Sequence, residues 1–271
     1  MPIVTLPLVL AVVLLELAIG GAFVLWALDR TKQAPAGYLK LMAGVDAAVA
    51  GLVFLLLPTL PRGGTAELAA LDPAPLESFA VVVPIVAVLF VAHLVTTFIP
   101  FRPLRAVIGA LVLVAGGGAL VAAAVARPAD PANAYDIFAL LALPLGALAL
   151  GGTNGAMLLG HWYLVTPKLS PAPLQRAALI VAGAILLQAV VVAVAFARGQ
   201  LVGAMESTLV VAIAIRVGVG VLMTFGLVLA AWWTARMNTQ SSTGLLYVAL
   251  GTALAGELAA RVVYYLTGTA V

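Results

Sequence analysis

Long apolar stretches separated by short polar ones make up this chain. Runs of about 20 apolar residues suffice to cross the hydrocarbon of a bilayer. They lie at 6–28, 38–58, 79–99, 105–126, 137–165, 176–198, 207–235 and 244–267, which predicts an all-α polytopic bundle of about eight transmembrane helices. The connecting segments are too short to bury a separate core, so residues 1–271 are expected to form a single integral membrane domain with no soluble catalytic unit. The stretch Met1–Leu28 has no basic leader and is too long for a signal-peptide core, and it reads as a retained first helix.

Composition strengthens this class. With 65% hydrophobic and 8% charged residues, a water-soluble fold would lack the polar side chains to cover its surface. The chain contains no cysteine, which excludes disulfides, thiolate-held clusters and a cysteine nucleophile.

Charge adds a topology. If the first helix starts outside, Arg30, Lys32, Lys40, Arg102, Arg105, Lys168, Arg176 and Arg236 lie inside, against Arg62, Arg127 and Arg198 outside. Glu67, Asp72, Glu77, Asp130, Asp136 and Glu206 then fall outside and Asp29 inside. Both termini are therefore expected outside, and Trp26, Trp162, Trp232 and Trp233 all sit at inner helix ends, where an indole suits the headgroup boundary. The bilayer of a bacterial or archaeal cytoplasmic membrane is the expected setting. The basic residues form only these short collars, so nucleic acid is not an expected partner. The Pro-rich turns 100–103 and 166–173 read as helix stops, and the Gly-rich patches 116–118 and 151–152 as close helix packing. No internal repeat is evident, which argues against transporter architectures built from two related halves.

Candidate chemistry rests on the few polar residues inside the spans, because a buried ionisable group is expensive unless it faces protein, cavity or cofactor. His93 precedes Arg102 by nine positions and His161 precedes Lys168 by seven, so at ~1.5 Å per residue their depths differ by about 3 Å. Asp46 falls in the same inner half. Three readings stay open. His93 and His161 are axial ligands of one b-type haem, its propionates reaching Arg102, Arg105 or Arg236. Alternatively, one histidine hydrogen-bonds a quinone, with Asp46 or Glu16 linking it to water. In the third reading both are structural. Glu16, Arg216 and Glu257 share a second level, in the middle and outer half, with Arg261 one turn further outward, and Glu257 and Arg261 have the (i, i+4) spacing of an ion pair. This group is either a structural ion-pair network or a proton path that Gln188 could extend. Zinc and di-iron sites would need more ligands than these, and no hydrolytic triad is recognisable.

The segment Gly256-Glu257-Leu258-Ala259-Ala260-Arg261-Val262-Val263-Tyr264-Tyr265, in an eight-span chain with outer termini, resembles the closing helix of the membrane anchors of dimethyl-sulfoxide-reductase-type respiratory oxidoreductases. That resemblance implies a quinone-interacting anchor that passes electrons between the lipid pool and a soluble iron–sulfur partner. Most such anchors carry no haem, so a bis-histidine haem here would depart from the pattern. The expected function is accordingly a membrane subunit of an electron-transfer complex, exchanging electrons with quinone and holding a haem b if the two histidines face each other. A small-solute or proton-coupled transporter using Glu16, Arg216, Glu257 and Arg261, and a structural assembly subunit, are the alternatives.

Overall fold

Inside hydrocarbon every backbone N–H and C=O must find a partner within the protein, which leaves the helix as the form these apolar runs can take. The computed structural model describes residues 2–128, 135–166, 169–201, 207–237 and 239–271, and among them eight helices are long and apolar enough to cross a membrane. Lys168, Asp130 and Glu206, which entered the depth and charge arguments above, lie outside the described residues. The spans are α1 (Pro2–Arg30), α2 (Ala36–Leu56), α4 (Pro73–Thr96), α5 (Arg102–Val125), α6 (Ile137–Val165), α7 (Ala172–Ala197), a composite seventh rod and α10 (Thr239–Thr267). The seventh rod consists of α8 (Ser207–Ala214), a π-helical stretch (Ile215–Met223) and α9 (Thr224–Thr234). A short helix, α3 (Gly64–Leu68), interrupts the connection between α2 and α4.

Local chemistry sets the ends. Asp72 and Asp136 cap α4 and α6, their carboxylates accepting from the backbone N–H of Ala74 and Phe138. Prolines occupy the first turns of α4, α5 and α7, where the missing N–H costs nothing. Pro7, Pro84 and Pro144 lie within helices, a position tolerated more readily in membrane spans than in soluble helices.

The helices pack as two rings of four. In the first half α1 meets α2, α2 meets α4, α4 meets α5, and α5 returns to α1. In the second half α6 meets α7, α7 meets α9, α9 meets α10, and α10 returns to α6. The rings join where α1 and α5 of one face α6 and α10 of the other, with α1 against α6 the most extensive contact in the molecule. Tertiary packing thus repeats an arrangement that the sequence itself does not repeat.

Backbones touch at this junction because small residues permit it. A Cβ on Gly20 would fall 1.7 Å from the Ala147 carbonyl oxygen, and one on Gly151 2.3 Å from that of Leu17. α1 is consequently the central helix: 78% of its most apolar window is buried, against 22% for the seventh rod. With eight spans in succession both termini reach the same face. Arg127, Asp136, Arg198 and Gly268 gather there, while Asp29, Arg105 and Trp26 lie at the opposite face.

Candidate functional site

The centre of the junction is occupied by charge. On α10, Glu257 and Arg261 stand one turn apart and bond at 2.7 Å. Arg216, from the π-helical stretch, donates to the other Glu257 oxygen at 2.7 Å, and the Gln188 side-chain amide of α7 donates to that same oxygen at 2.7 Å. Arg261 also reaches Glu16 on α1 at 2.8 Å and donates to the Ala142 carbonyl of α6 at 3.1 Å. All four charged side chains are at most 2% exposed. Two acids and two arginines cancel, which is what makes the cluster tolerable at this depth.

The surrounding backbone is shaped to hold it. A Cβ on Gly146 would lie 2.3 Å from an Arg261 guanidinium nitrogen, 2.7 Å from Glu16 and 2.8 Å from Glu257, so α6 must carry glycine there. A Cβ on Gly256 would fall 2.2 Å from the Cα of Gly220. That close approach brings α10 against the π-helical stretch and delivers Arg216 to Glu257. Widened helical turns of this kind occur frequently at functional sites. Tyr264 and Tyr265, buried on the same helix, bond the carbonyls of Ala124 and Ala139 and of Ala123, tying α10 to α5 and α6.

The two acids are held differently. Glu257 accepts three aligned hydrogen bonds. Glu16 meets Arg261 at ion-pair distance, yet neither of its oxygens accepts an aligned hydrogen bond.

A second ionic site closes the opposite face. Arg105, in the first turn of α5, makes a bidentate pair with Asp29 at the end of α1, both bonds 2.8 Å, with Arg102 at 3.9 Å. The Trp26 indole donates to the Ala106 carbonyl at 3.0 Å. Arg105 is therefore committed to Asp29 rather than awaiting a propionate. Arg236 stacks over Trp232 and Trp233 at the end of the seventh rod, with centroid distances of 4.5 and 5.8 Å.

Asp46, His93 and His161 could meet only if their helices were neighbours, and those of the two histidines are not. His93 is buried on α4, its Nε2 only 3.1 Å from where a Gly109 Cβ would stand, beside Trp26, and neither ring nitrogen has a hydrogen-bond partner. His161 is exposed on α6 and shares a 2.8 Å hydrogen bond between its Nδ1 and the Tyr247 hydroxyl of α10. α4 packs on α2 and α5, whereas α6 packs chiefly on α1, α7 and α10, so the matching depths belong to helices with no substantial contact. Asp46 presses against Gly21 and accepts no hydrogen bond. A haem held between His93 and His161 does not fit this arrangement, and no group of three or more potential metal-ligating side chains exists among the described residues.

Sequence reasoning placed Glu16, Arg216 and Glu257 at one depth with Arg261 one turn further out, and its ion-pair network of Arg216, Glu257 and Arg261 is present, with Glu16 added through Arg261. It missed the π-helical stretch, the need for Gly146 and the pairing of Asp29 with Arg105. The (i, i+4) acid–arginine spacing was the legible signal for the cluster. No family model, curated protein or solved structure matches the chain.

Proposed function

We propose that this chain is the quinone-reactive membrane subunit of an electron-transfer complex, with His93 as the side chain that meets the quinone. The observation carrying this reading is the unpartnered imidazole of His93, 1% exposed within a span. Buried polar groups are nearly always hydrogen-bonded, and one that is not calls for a ligand or a reaction. A neutral imidazole offers one N–H to a quinone carbonyl and one acceptor nitrogen to a quinol hydroxyl, so it can hold either redox form and take a proton when the quinol is oxidised. Trp26, which borders the same Cβ position of Gly109 as the imidazole, supplies an adjacent aromatic surface.

The opposite face also suits a soluble redox partner. Arg30, Lys32, Lys40, Arg102, Arg176 and Arg236 are exposed there, and a basic collar attracts an acidic partner surface such as that of an iron–sulfur subunit. On the positive-inside rule this is the cytoplasmic side. The closing-helix segment that carries the family resemblance supplies Glu257, Arg261, Tyr264 and Tyr265 to the junction, which accords with a shared architecture.

Binding tests the reading directly. In nanodiscs containing the full chain, a water-soluble naphthoquinone should quench tryptophan fluorescence saturably, and His93→Leu should weaken its affinity at least tenfold. Equal affinity in the variant would overturn the assignment.

The two-ring layout favours one alternative, a proton-coupled solute transporter with its charge cluster between two similarly packed halves. Solute uptake into proteoliposomes driven by a pH gradient, abolished in Glu16→Gln, would select it over the redox reading.

A further inference from the structure

A polar cavity of about 220 Å³ opens on the termini face where the ends of α5, α6, α7 and α10 meet, with Arg127, Asp136, Ala139, Val191, Arg198 and Gly268 in its wall. Two of these residues lead inward. The Ala139 carbonyl accepts the hydroxyl of Tyr264 at 3.0 Å, and Val191 stands three residues from Gln188 on α7.

Beneath the cavity lie Tyr264 and then the charged cluster. The Tyr264 ring centroid is 5.8 Å from the guanidinium of Arg127 and 5.9 Å from that of Arg261. Arg261 then contacts Glu16. Thr267, the last residue of α10, also lines the cavity, and it is six residues from Arg261, so only about 9 Å of helix separates the cavity wall from the charged cluster. Across this interval α6 offers backbone carbonyls to the same groups, that of Ala139 to Tyr264 and that of Ala142 to Arg261, and Gly146 lies against the cluster itself.

The path ends on a carboxylate suited to change its protonation. Glu257 is fixed by Arg216, Gln188 and Arg261, whereas Glu16 accepts no aligned hydrogen bond and depends on Arg261 alone.

We propose that the termini-face cavity is the mouth of a hydrated path along which protons pass between water and Glu16. In this relay the Tyr264 O–H bond breaks as its proton forms an O–H bond on a Glu16 carboxylate oxygen, a hydronium ion in the cavity restores the Tyr264 hydroxyl and becomes water, and the cluster passes from net zero to a single positive charge. Return of the proton restores the neutral cluster. Tyr264 is the moving step, because its hydroxyl must leave the Ala124 and Ala139 carbonyls to relay the proton. The charged or titratable groups that act on Glu16 are Arg261, Glu257 and Tyr265 on α10 and Arg216 on the π-helical stretch, while Tyr264 adjoins Arg261 and neutral Gln188 of α7 adjoins Glu257. This path does not depend on the quinone reading.

The cysteine-free sequence makes the test clean. Single cysteines at Ala195, in the cavity, and at Ala142, below it, should react with a membrane-impermeant thiol reagent added at the termini face of proteoliposomes, Ala142→Cys more slowly. Leu150→Cys in the packed core and Val190→Cys on the lipid-facing side of α7 should stay unmodified. If Ala142→Cys is as inert as Leu150→Cys while Ala195→Cys reacts, the cavity is a dead end and the proposal fails. A second measurement guards against a variant that does not assemble. Infrared difference spectra of the unmodified chain between two pH values should contain a carboxyl band that Glu16→Gln removes and that Tyr264→Phe makes slower to appear. Absence of any Glu16-dependent band across the pH range in which the protein stays folded would also overturn it.

Discussion

Glu257 and His93 are both 1% exposed inside membrane spans, yet the bundle treats them in opposite ways. Glu257 sits where four helices and the π-helical stretch converge and receives a partner for each oxygen. His93 sits on α4, at the edge of the first ring, and receives none. The difference follows from position. At the junction of the rings several helices can each contribute a polar group, so charge becomes the material that joins the halves. On a helix packed mainly against two neighbours, a polar side chain finds only apolar surface unless a ligand supplies the missing partner.

The sharpest way to break this contrast is to remove the hub. Arg261→Leu leaves Glu16 unpaired and Glu257 one partner short, and it should cost about 3–5 kcal/mol, the usual penalty for stranding a buried charge. Denaturant unfolding in detergent measures this, and a loss well under 1 kcal/mol would mean that the cluster does not hold the halves together. Asp29→Asn should cost about 1.5–3 kcal/mol, since it weakens a bidentate, charge-assisted pair at the membrane face. If it proved as damaging as the loss of Arg261, the face would be as important to assembly as the junction. Gly256→Ala forces a Cβ into the backbone of Gly220 and should destabilise by about 1–3 kcal/mol through overpacking. A neutral result would mean that the π-helical stretch yields easily. His93→Leu should change stability by less than about 1 kcal/mol, because no hydrogen bond is lost and the replacement is apolar and of similar size. A large loss would assign His93 a structural role. An oxidised-minus-reduced optical spectrum of the purified chain should show no stoichiometric haem, and a haem signal lost in both His93→Ala and His161→Ala would overturn the arrangement of α4 and α6 described above.

Depth along a helix was legible and direction around it was not. Helix rise grouped Glu16, Arg216 and Glu257, and the fold pairs Arg216 with Glu257 directly and joins Glu16 to them through Arg261. The same reasoning paired His93 with His161, and there it failed, because equal depth on two helices says nothing about whether those helices are neighbours. Asp29 shows the reverse error: at the end of α1 it read as a loop acid, whereas packing of α1 on α5 makes it the partner of Arg105. The π-helical stretch had no sequence signal of a widened turn, since apart from Arg216 it consists of the aliphatic residues and glycines found in ordinary spans.

What the sequence determined by itself is the solvent. Runs of apolar residues long enough to cross hydrocarbon, with almost no charge to spare, require helices whose backbones satisfy themselves, and that requirement is local to each run. Which helices touch was decided only by the tertiary structure. In lipid, apolar side chains gain little by leaving one apolar neighbour for another, so helix choice falls to small residues such as Gly20, Gly146, Gly151, Gly220 and Gly256 and to a few buried polar groups. Those contacts lie far apart in the chain, and they turn four isolated charges into one neutral junction.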